Sequence, residues 1–297
     1  MERSVIHTDF RNRTLPEWPR LASRLATQLL VWAFLLAIAF FTLFPVVITV
    51  LGSFKTNMEL TAGATILPRE WQFQNFVEAW EGAGFARYTW NSLFVAVMAT
   101  IGTLIVASMA GYVTDRRDFP GKKLYIAIQA STMFISIGAV VLRPQFELMV
   151  NIHLNTTLWG VVLILISAHA TTFFILTGFF KAIPRDLDEA ATLDGCSFMG
   201  IYWRIILPLL APGLGVSGLF AFRTAWNEYI LPLVFTMNSP ELRTLTVGLT
   251  SLRYTNSAAL QTHLMLAGAV LSMLPLLVAY LFANKTFMQM TVGSVKG

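Results

Sequence analysis

Residues 181–212 read KAIPRDLDEAATLDGCSFMGIYWRIILPLLAP and separate two apolar runs, Leu158–Phe180 and Ile205–Phe222, that contain no Asp, Glu, Lys or Arg. Pro184 stops the helical continuation of the first run, because proline brings no N–H to the ladder. Asp186 is placed to cap a new helix, with Glu189 three residues on completing a capping box. Leu187, Ala190, Ala191 and Asp194 recur at helical spacing on one face. Gly195 suits the left-handed stop after about two turns. Ser197 then caps a second short helix that runs through Tyr202, Trp203 and Arg204 into Ile205, before Pro208. Small alanines and an acidic start let another surface approach closely. The stretch reads as a short helix, shaped to enter a partner's cleft, held between two segments of membrane-spanning length.

Working outward, six segments are long and apolar enough to cross a hydrocarbon core of roughly 30 Å at about 1.5 Å per residue. They are Gln28–Leu51, Asn91–Val113, Leu124–Leu142, Leu158–Phe180, Ile205–Phe222 and Leu264–Phe282. The first is preceded by arginines, as in a signal peptide, but it is too long for a signal core and reads as a retained span. Helices are expected throughout, because lipid offers no partner to backbone N–H and C=O groups. Composition agrees: of 297 residues 56% are hydrophobic and only 12% charged, about half the usual charged share of a soluble domain. The net charge of +5 does not point to nucleic acid, since the basic residues cluster beside apolar spans. Fourteen Lys and Arg fall on the side that holds the N-terminal tail, the second–third and fourth–fifth loops and the C-terminal tail, against seven on the other. Both termini are therefore expected in the cytoplasm.

Two segments on the expected outer face stand out. Thr61–Tyr88 mixes Trp71, Phe73, Phe76, Trp80 and Phe85 with Glu70, Glu78 and Glu81, as an interfacial segment or a docking surface for an external partner would. Trp226–Phe235 is apolar, too short to span, and breaks at Pro232, which fits a re-entrant piece beside a pathway. Trp226, Asn227 and Glu228 there either line a substrate pathway or cap the fifth span.

The spans lack the carboxylates that ion-coupled carriers use, and His169, the ionisable group well inside one, reads as a hydrogen-bonded packing residue. The single Cys196 allows no internal disulfide, and no Cys/His cluster suggests a metal. Gly121-Lys122 lacks the glycine and the Ser/Thr of a phosphate-binding loop. Energy for uphill movement must enter from another polypeptide.

Glu189-Ala190-Ala191, three residues, Gly195, nine residues, then Ile205-Ile206-Leu207-Pro208 resembles, without a gap, the EAA loop of ABC importer permeases. Gly52-Ser53-Phe54-Lys55, Asn91-Ser92, Trp226-Asn227-Glu228-Tyr229, Arg243-Thr244-Leu245 and the ending from Thr291 to Gly297 are similar to the MalG-like carbohydrate branch of that family, whose transport depends on a binding protein. The resemblance implies an all-α integral membrane protein with six transmembrane helices and the type I importer permease (MetI-like) fold. It implies a non-catalytic subunit of the bacterial plasma membrane that moves a sugar, oligosaccharide or sugar derivative. Its implied partners are a second permease in a heterodimer, two ATP-binding subunits, an extracytoplasmic solute-binding protein and membrane lipid. No cofactor is implied on this chain; ATP and Mg belong to the ATPase. Asp186, Leu187, Glu189, Ala190, Ala191, Asp194 and Gly195 are the implied coupling element, with Glu189 pairing to the ATPase and the alanines packed in its groove. Ser294, Val295, Lys296 and Gly297 are an implied tail contact to the ATPase.

The expected organisation is a cytoplasmic tail (1–27), a first span (28–51), an external loop (52–90), a permease core (91–284) with the EAA loop at 181–208, and a cytoplasmic tail (285–297). Alternative cargoes are a polyol, a glycerol-phosphate compound, a peptide, a polyamine or phosphate. A secondary transporter and a docking scaffold without flux are the rival readings.

Overall fold

The computed structural model describes residues 18–63, 65–82, 84–134, 138–252 and 261–294, and divides into two units, Met1–Val50 and Leu51–Gly297. The first unit is built on the helix α1 (Trp18–Gly52), which carries Pro45 inside it. One i→i−4 bond is lost there, and the Thr49 hydroxyl donates to the Pro45 carbonyl at 2.8 Å.

Every regular element among the described residues of the second unit is a helix, joined by turns. Two short helices, α2 (Asn57–Ala62) and α3 (Gln74–Gly82), precede the long α4 (Phe85–Arg116). Then come α5 (Lys122–Phe134), a 3-10 turn (Gly138–Val141), α6 (Leu142–Asn151), α7 (Leu158–Ser167) and α8 (Ala170–Phe180). The loop helix α9 (Asp186–Leu193) leads into α10 (Phe198–Ile201), a π-helical turn (Tyr202–Ile206), α11 (Leu207–Leu209) and α12 (Ala211–Trp226). The chain closes with α13 (Ile230–Phe235), a 3-10 turn (Pro240–Leu242), α14 (Leu245–Leu252) and α15 (Thr262–Ser294).

At the centre of this unit α4 packs against α7, α8, α12 and α14. Its buried stripe is made of small residues, Ala96, Ala99, Thr103, Ala107, Ser108 and Gly111. Small side chains let neighbouring backbones close in where no hydrophobic drive exists between helices in lipid. Ile101, Ile105, Val106 and Val113 stay exposed on the opposite side. One apolar cluster gathers Val95, Ala96, Val161, Val162, Trp226 and Phe235 near the start of α4. A second gathers Tyr112, Phe173, Leu176, Phe180, Tyr202 and Ile206 near its end.

Three helical segments are continuous and apolar enough to cross a membrane: Leu25–Gly52, Phe85–Arg116 and Thr262–Leu281. They coincide with the first, second and sixth expected spans. The fourth and fifth are bent instead, α7–α8 by 48° and the Phe198–Leu209 piece against α12 by 78°. In the fourth, the Ser167 hydroxyl takes the Ile164 carbonyl at 2.6 Å and the His169 ring meets the Ile166 carbonyl at 3.2 Å, so side chains replace the helical ladder. In the fifth, Pro208 and Pro212 each withhold a donor on either side of the bend. Of the third expected span, Leu124–Leu142, the described parts are α5 up to Phe134 and a 3-10 turn from Gly138 that leads into α6; residues 135–137 lie outside the described residues.

Candidate functional site: the loop helix and its socket

Backbone geometry begins α9 one residue earlier than the capping-box reading required. Arg185 is the N-cap, without a side-chain cap bond, and its carbonyl accepts from the Asp188 and Glu189 amides at 2.9 and 3.2 Å. Asp186 is therefore the first helical residue, and the Asp186/Glu189 box does not form. Arg185 offers no side-chain acceptor with which to cap, and its guanidinium donates instead to the Asp115 carbonyl at 2.9 Å. The acidic residues still fill the first turn, where they favour the helix dipole.

The other end of α9 is as expected. Gly195 has φ +82, in the left-handed region. The Cys196 amide donates to the Ala191 carbonyl at 2.9 Å and the Gly195 amide to that of Thr192 at 3.0 Å, the paired bonds of a Schellman stop. Ser197 caps α10 by accepting from the Gly200 amide at 3.1 Å.

A socket holds one face of α9. Ala191 is buried against the second apolar cluster. Asp188, whose side chain is 17% exposed, lies with Oδ2 3.0 Å from Nε of Arg116, itself 6% exposed. The two atoms form an ion-pair contact without hydrogen-bond alignment. The Tyr112 hydroxyl donates to Asp188 Oδ1 at 3.2 Å. Arg116 also donates to the Ile183 carbonyl at 3.0 Å and pairs with Asp115 at 2.7 Å. The Tyr112 ring stacks on Phe198 with centroids 4.5 Å apart, and Arg117 sits 4.7 Å over the other ring's centroid. Tyr202 hydrogen-bonds Ser108 at 2.7 Å. In the adjoining loop a hydrogen bond from Lys122 holds the exposed Asp118 carboxyl below its ordinary range.

The remaining face of α9 points away from this socket. Leu187, Glu189, Ala190 and Asp194 are exposed, and Leu193 is 90% exposed. The expected stripe of Leu187, Ala190, Ala191 and Asp194 is thus split, with Ala191 turned inward. A cleft of about 530 Å³ between α9 and the end of α4 is lined by Arg116, Arg117, Arg185, Asp188 and Glu189, among others. Asp188, Tyr112, Arg116 and Leu193 were not singled out in the sequence. The i, i+3 spacing of Asp188 and Ala191 is the one local sign that Asp188 shares the buried face.

The expected pathway residues are at joints. The buried Trp226 donates its indole N–H to the Ser272 carbonyl at 3.2 Å. Asn227 caps α12 by donating to the Arg223 carbonyl at 2.9 Å. Glu228 accepts from the Ile230 and Leu231 amides at 3.1 and 3.2 Å, opening α13. The other short motifs do the same work. Asn91 donates to the Glu241 and Arg243 carbonyls, both at 2.9 Å, and Ser92 accepts from the Leu245 amide at 2.8 Å. Asn75 donates to the Ser53 and Lys55 carbonyls at 2.9 and 2.8 Å. His169 meets Gln129 at 3.1 Å, the hydrogen-bonded packing role expected of it. Among the described residues no group of His, Cys, Asp or Glu is arranged to hold a metal. Ser294 ends α15, and Val295–Gly297 lie outside the described residues.

A bundle of apolar helices that carries a docked loop helix defines the class as a helical membrane protein. The family described as binding-protein-dependent transport system inner membrane component matches residues 19–287. The arabinooligosaccharides transport system permease protein AraQ of Bacillus subtilis (strain 168) is 32% identical over 89% of this chain and 94% of its own length. The diacetylchitobiose uptake system permease protein NgcG of Streptomyces coelicolor is 30% identical over 84% of this chain and 82% of its own. A bacterial ABC transporter involved in import of the acidic polysaccharide alginate contains a chain that superposes with a TM-score of 0.74 at 23% identity, covering 94% of this chain and 99% of that one. The chain belongs to the binding-protein-dependent transport system inner membrane component family.

Proposed function

We propose that this protein is the translocating permease subunit of an ATP-driven importer for a carbohydrate, with α9 as the element through which the ATPase acts. The single observation that carries the coupling role is the two-faced burial of α9. Asp188 and Ala191 lock one side into the bundle, while Leu187, Glu189, Ala190 and Leu193 remain free on the other. Relatives named for arabinooligosaccharide and diacetylchitobiose transport support the cargo class.

In this reading six helices span the inner membrane, the fourth and fifth as bent pairs, and both termini are cytoplasmic. A second permease, two ATPase subunits and a solute-binding protein complete the assembly. The family description supports the binding protein. ATP and Mg sit on the ATPase, so this chain performs no bond chemistry. Asp186, Leu187, Glu189, Ala190, Asp194 and the turn at Gly195 form the ATPase-facing side, and the Ser294–Gly297 tail adds a second contact.

Mechanically, a displacement of α9 cannot stay local. Arg116 ties it to the end of α4, Phe198 and Tyr202 tie it to the bent fifth segment, and Phe180 joins the same cluster from α8. Packed clusters move as blocks rather than deform. ATP can drive such a change only through contacts that differ between the two states.

The test is ATPase activity of the reconstituted complex with loaded binding protein, comparing wild type with Glu189→Ala and Leu193→Asp. Both side chains are exposed, so the bundle stays folded. Stimulation should fall at least severalfold in both variants, and full stimulation in both would remove α9 from the coupling path.

A further inference from the structure

We infer that α3 is an interfacial helix lying on the membrane surface, with Val77 and Trp80 in the lipid headgroup–acyl boundary and Glu78 and Glu81 in water. Its partner is a lipid surface. The inference goes beyond the importer reading and needs only that the chain is inserted in a membrane.

α3 packs against α15 and against α4, and its faces divide three ways. Asn75 and Ala79, four apart, are buried on the protein side, and Asn75 is fastened there by the Ser53 and Lys55 carbonyls. Val77 and Trp80, three apart, are exposed, and Phe73 extends their line just before the helix at 67% exposure. Gln74, Glu78 and Glu81 are exposed on the remaining side. At about 100° per residue the three stripes are centred roughly 100–150° from one another. A helix on the surface of a soluble protein has two sides, one against the core and one in water. The exposed apolar stripe of α3 is a third side and calls for a third medium.

The depth of α3 follows from α4. The 32 residues of α4 rise roughly 48 Å, against about 30 Å of hydrocarbon and about 40–45 Å with the headgroups included. With its apolar middle in hydrocarbon, the first turns of α4 stand among the headgroups. α3 lies beside those turns, where the Trp80 ring meets Phe85 with centroids 5.4 Å apart. Trp90, 68% exposed, opens the exposed side of α4 that Ile101 and Ile105 continue three and four turns on. Exposed apolar surface on α4 thus runs from the hydrocarbon up to the level of α3. Tryptophan, with an apolar body and one N–H, favours that level. α3 contains no Lys or Arg, so burial of its apolar stripe, and not attraction to anionic headgroups, holds it down.

The experiment is site-directed spin labelling of the protein, with the subunits that copurify with it, in nanodiscs of phosphatidylethanolamine and phosphatidylglycerol. In a Cys196→Ser background, with the other subunits free of cysteine, Val77→Cys and Glu81→Cys each carry one nitroxide. Both side chains are exposed, so the labels leave the bundle packed. Oxygen, which concentrates in lipid, and a water-soluble nickel chelate compete to relax each label. The oxygen-to-nickel ratio should be at least severalfold higher at Val77 than at Glu81, and should keep that excess in discs without phosphatidylglycerol. Equal ratios at the two sites put the stripe in water and overturn the inference. A Val77 label shielded from both reagents overturns it as well, since the stripe is then covered by protein: a soluble partner if a salt wash restores access, a membrane subunit if it does not. An excess that vanishes without phosphatidylglycerol overturns the apolar attachment.

Discussion

Asp188 and Arg116 form an ion pair at 3.0 Å with little of either side chain exposed, and the Tyr112 hydroxyl donates to the same carboxylate. Removing one partner strands the other, which costs more than removing both. Asp188→Asn and Arg116→Gln should each lower stability by about 1–3 kcal/mol, with the double variant less destabilised than the sum, in a thermal-unfolding cycle on the detergent-purified subunit. The exposed Arg143–Glu147 pair, 89% and 61% open to solvent, serves as the control, and Glu147→Gln should change stability by no more than about 0.5 kcal/mol. At this scale the sequence was uneven. Gly195 and Ser197 were legible because a helix stop and a cap are local devices. The Asp186/Glu189 box was not: the backbone makes Arg185 the N-cap and Asp186 the first helical residue, a one-residue shift that no capping side chain marks.

For the elements, hydropathy located each apolar run but not its shape. A bend depends on which carbonyl a serine or histidine takes, and on what fills the space beside the break. The buried stripe of α4 shows the packing side of the same point. A Cβ added to Gly111 would meet Phe180 Cε2 at 2.7 Å, inside the cluster that anchors α9. Gly111→Ala should therefore cost about 1–3 kcal/mol, as overpacking does. Adding Phe180→Leu should recover part of the loss, which a thermal-shift comparison of the single and double variants will show. The short motifs at Asn91-Ser92 and Arg243-Leu245, far apart in the chain, prove to be two halves of one joint. Nothing in either segment alone announces that pairing.

On the scale of the whole molecule, the uneven distribution of Lys and Arg and the exposed face of α9 make a joint prediction about sidedness, with α9 on the cytoplasmic side. Leu193, 90% exposed, is the best reporter. In a Cys196→Ser background, Leu193→Cys should react with a membrane-impermeant maleimide in inverted vesicles and not in right-side-out cells. Bound ATPase should protect it. Labelling from outside would reverse the orientation, and labelling undiminished by the ATPase would separate α9 from the docking site. The sequence by itself determined that the chain is a helical membrane protein, where its apolar runs lie, and that the connection at 181–212 holds a short helix stopped at Gly195. Those properties follow from composition, local capping and short-range periodicity, which need no knowledge of neighbours. Tertiary structure alone decided that Asp188 and not Glu189 anchors the loop helix, and that two spans bend. The Asp188 anchor depends on a contact between segments distant in sequence, whose energy no local pattern records, and a bend depends on which nearby carbonyl a side chain takes and on what packs beside the break.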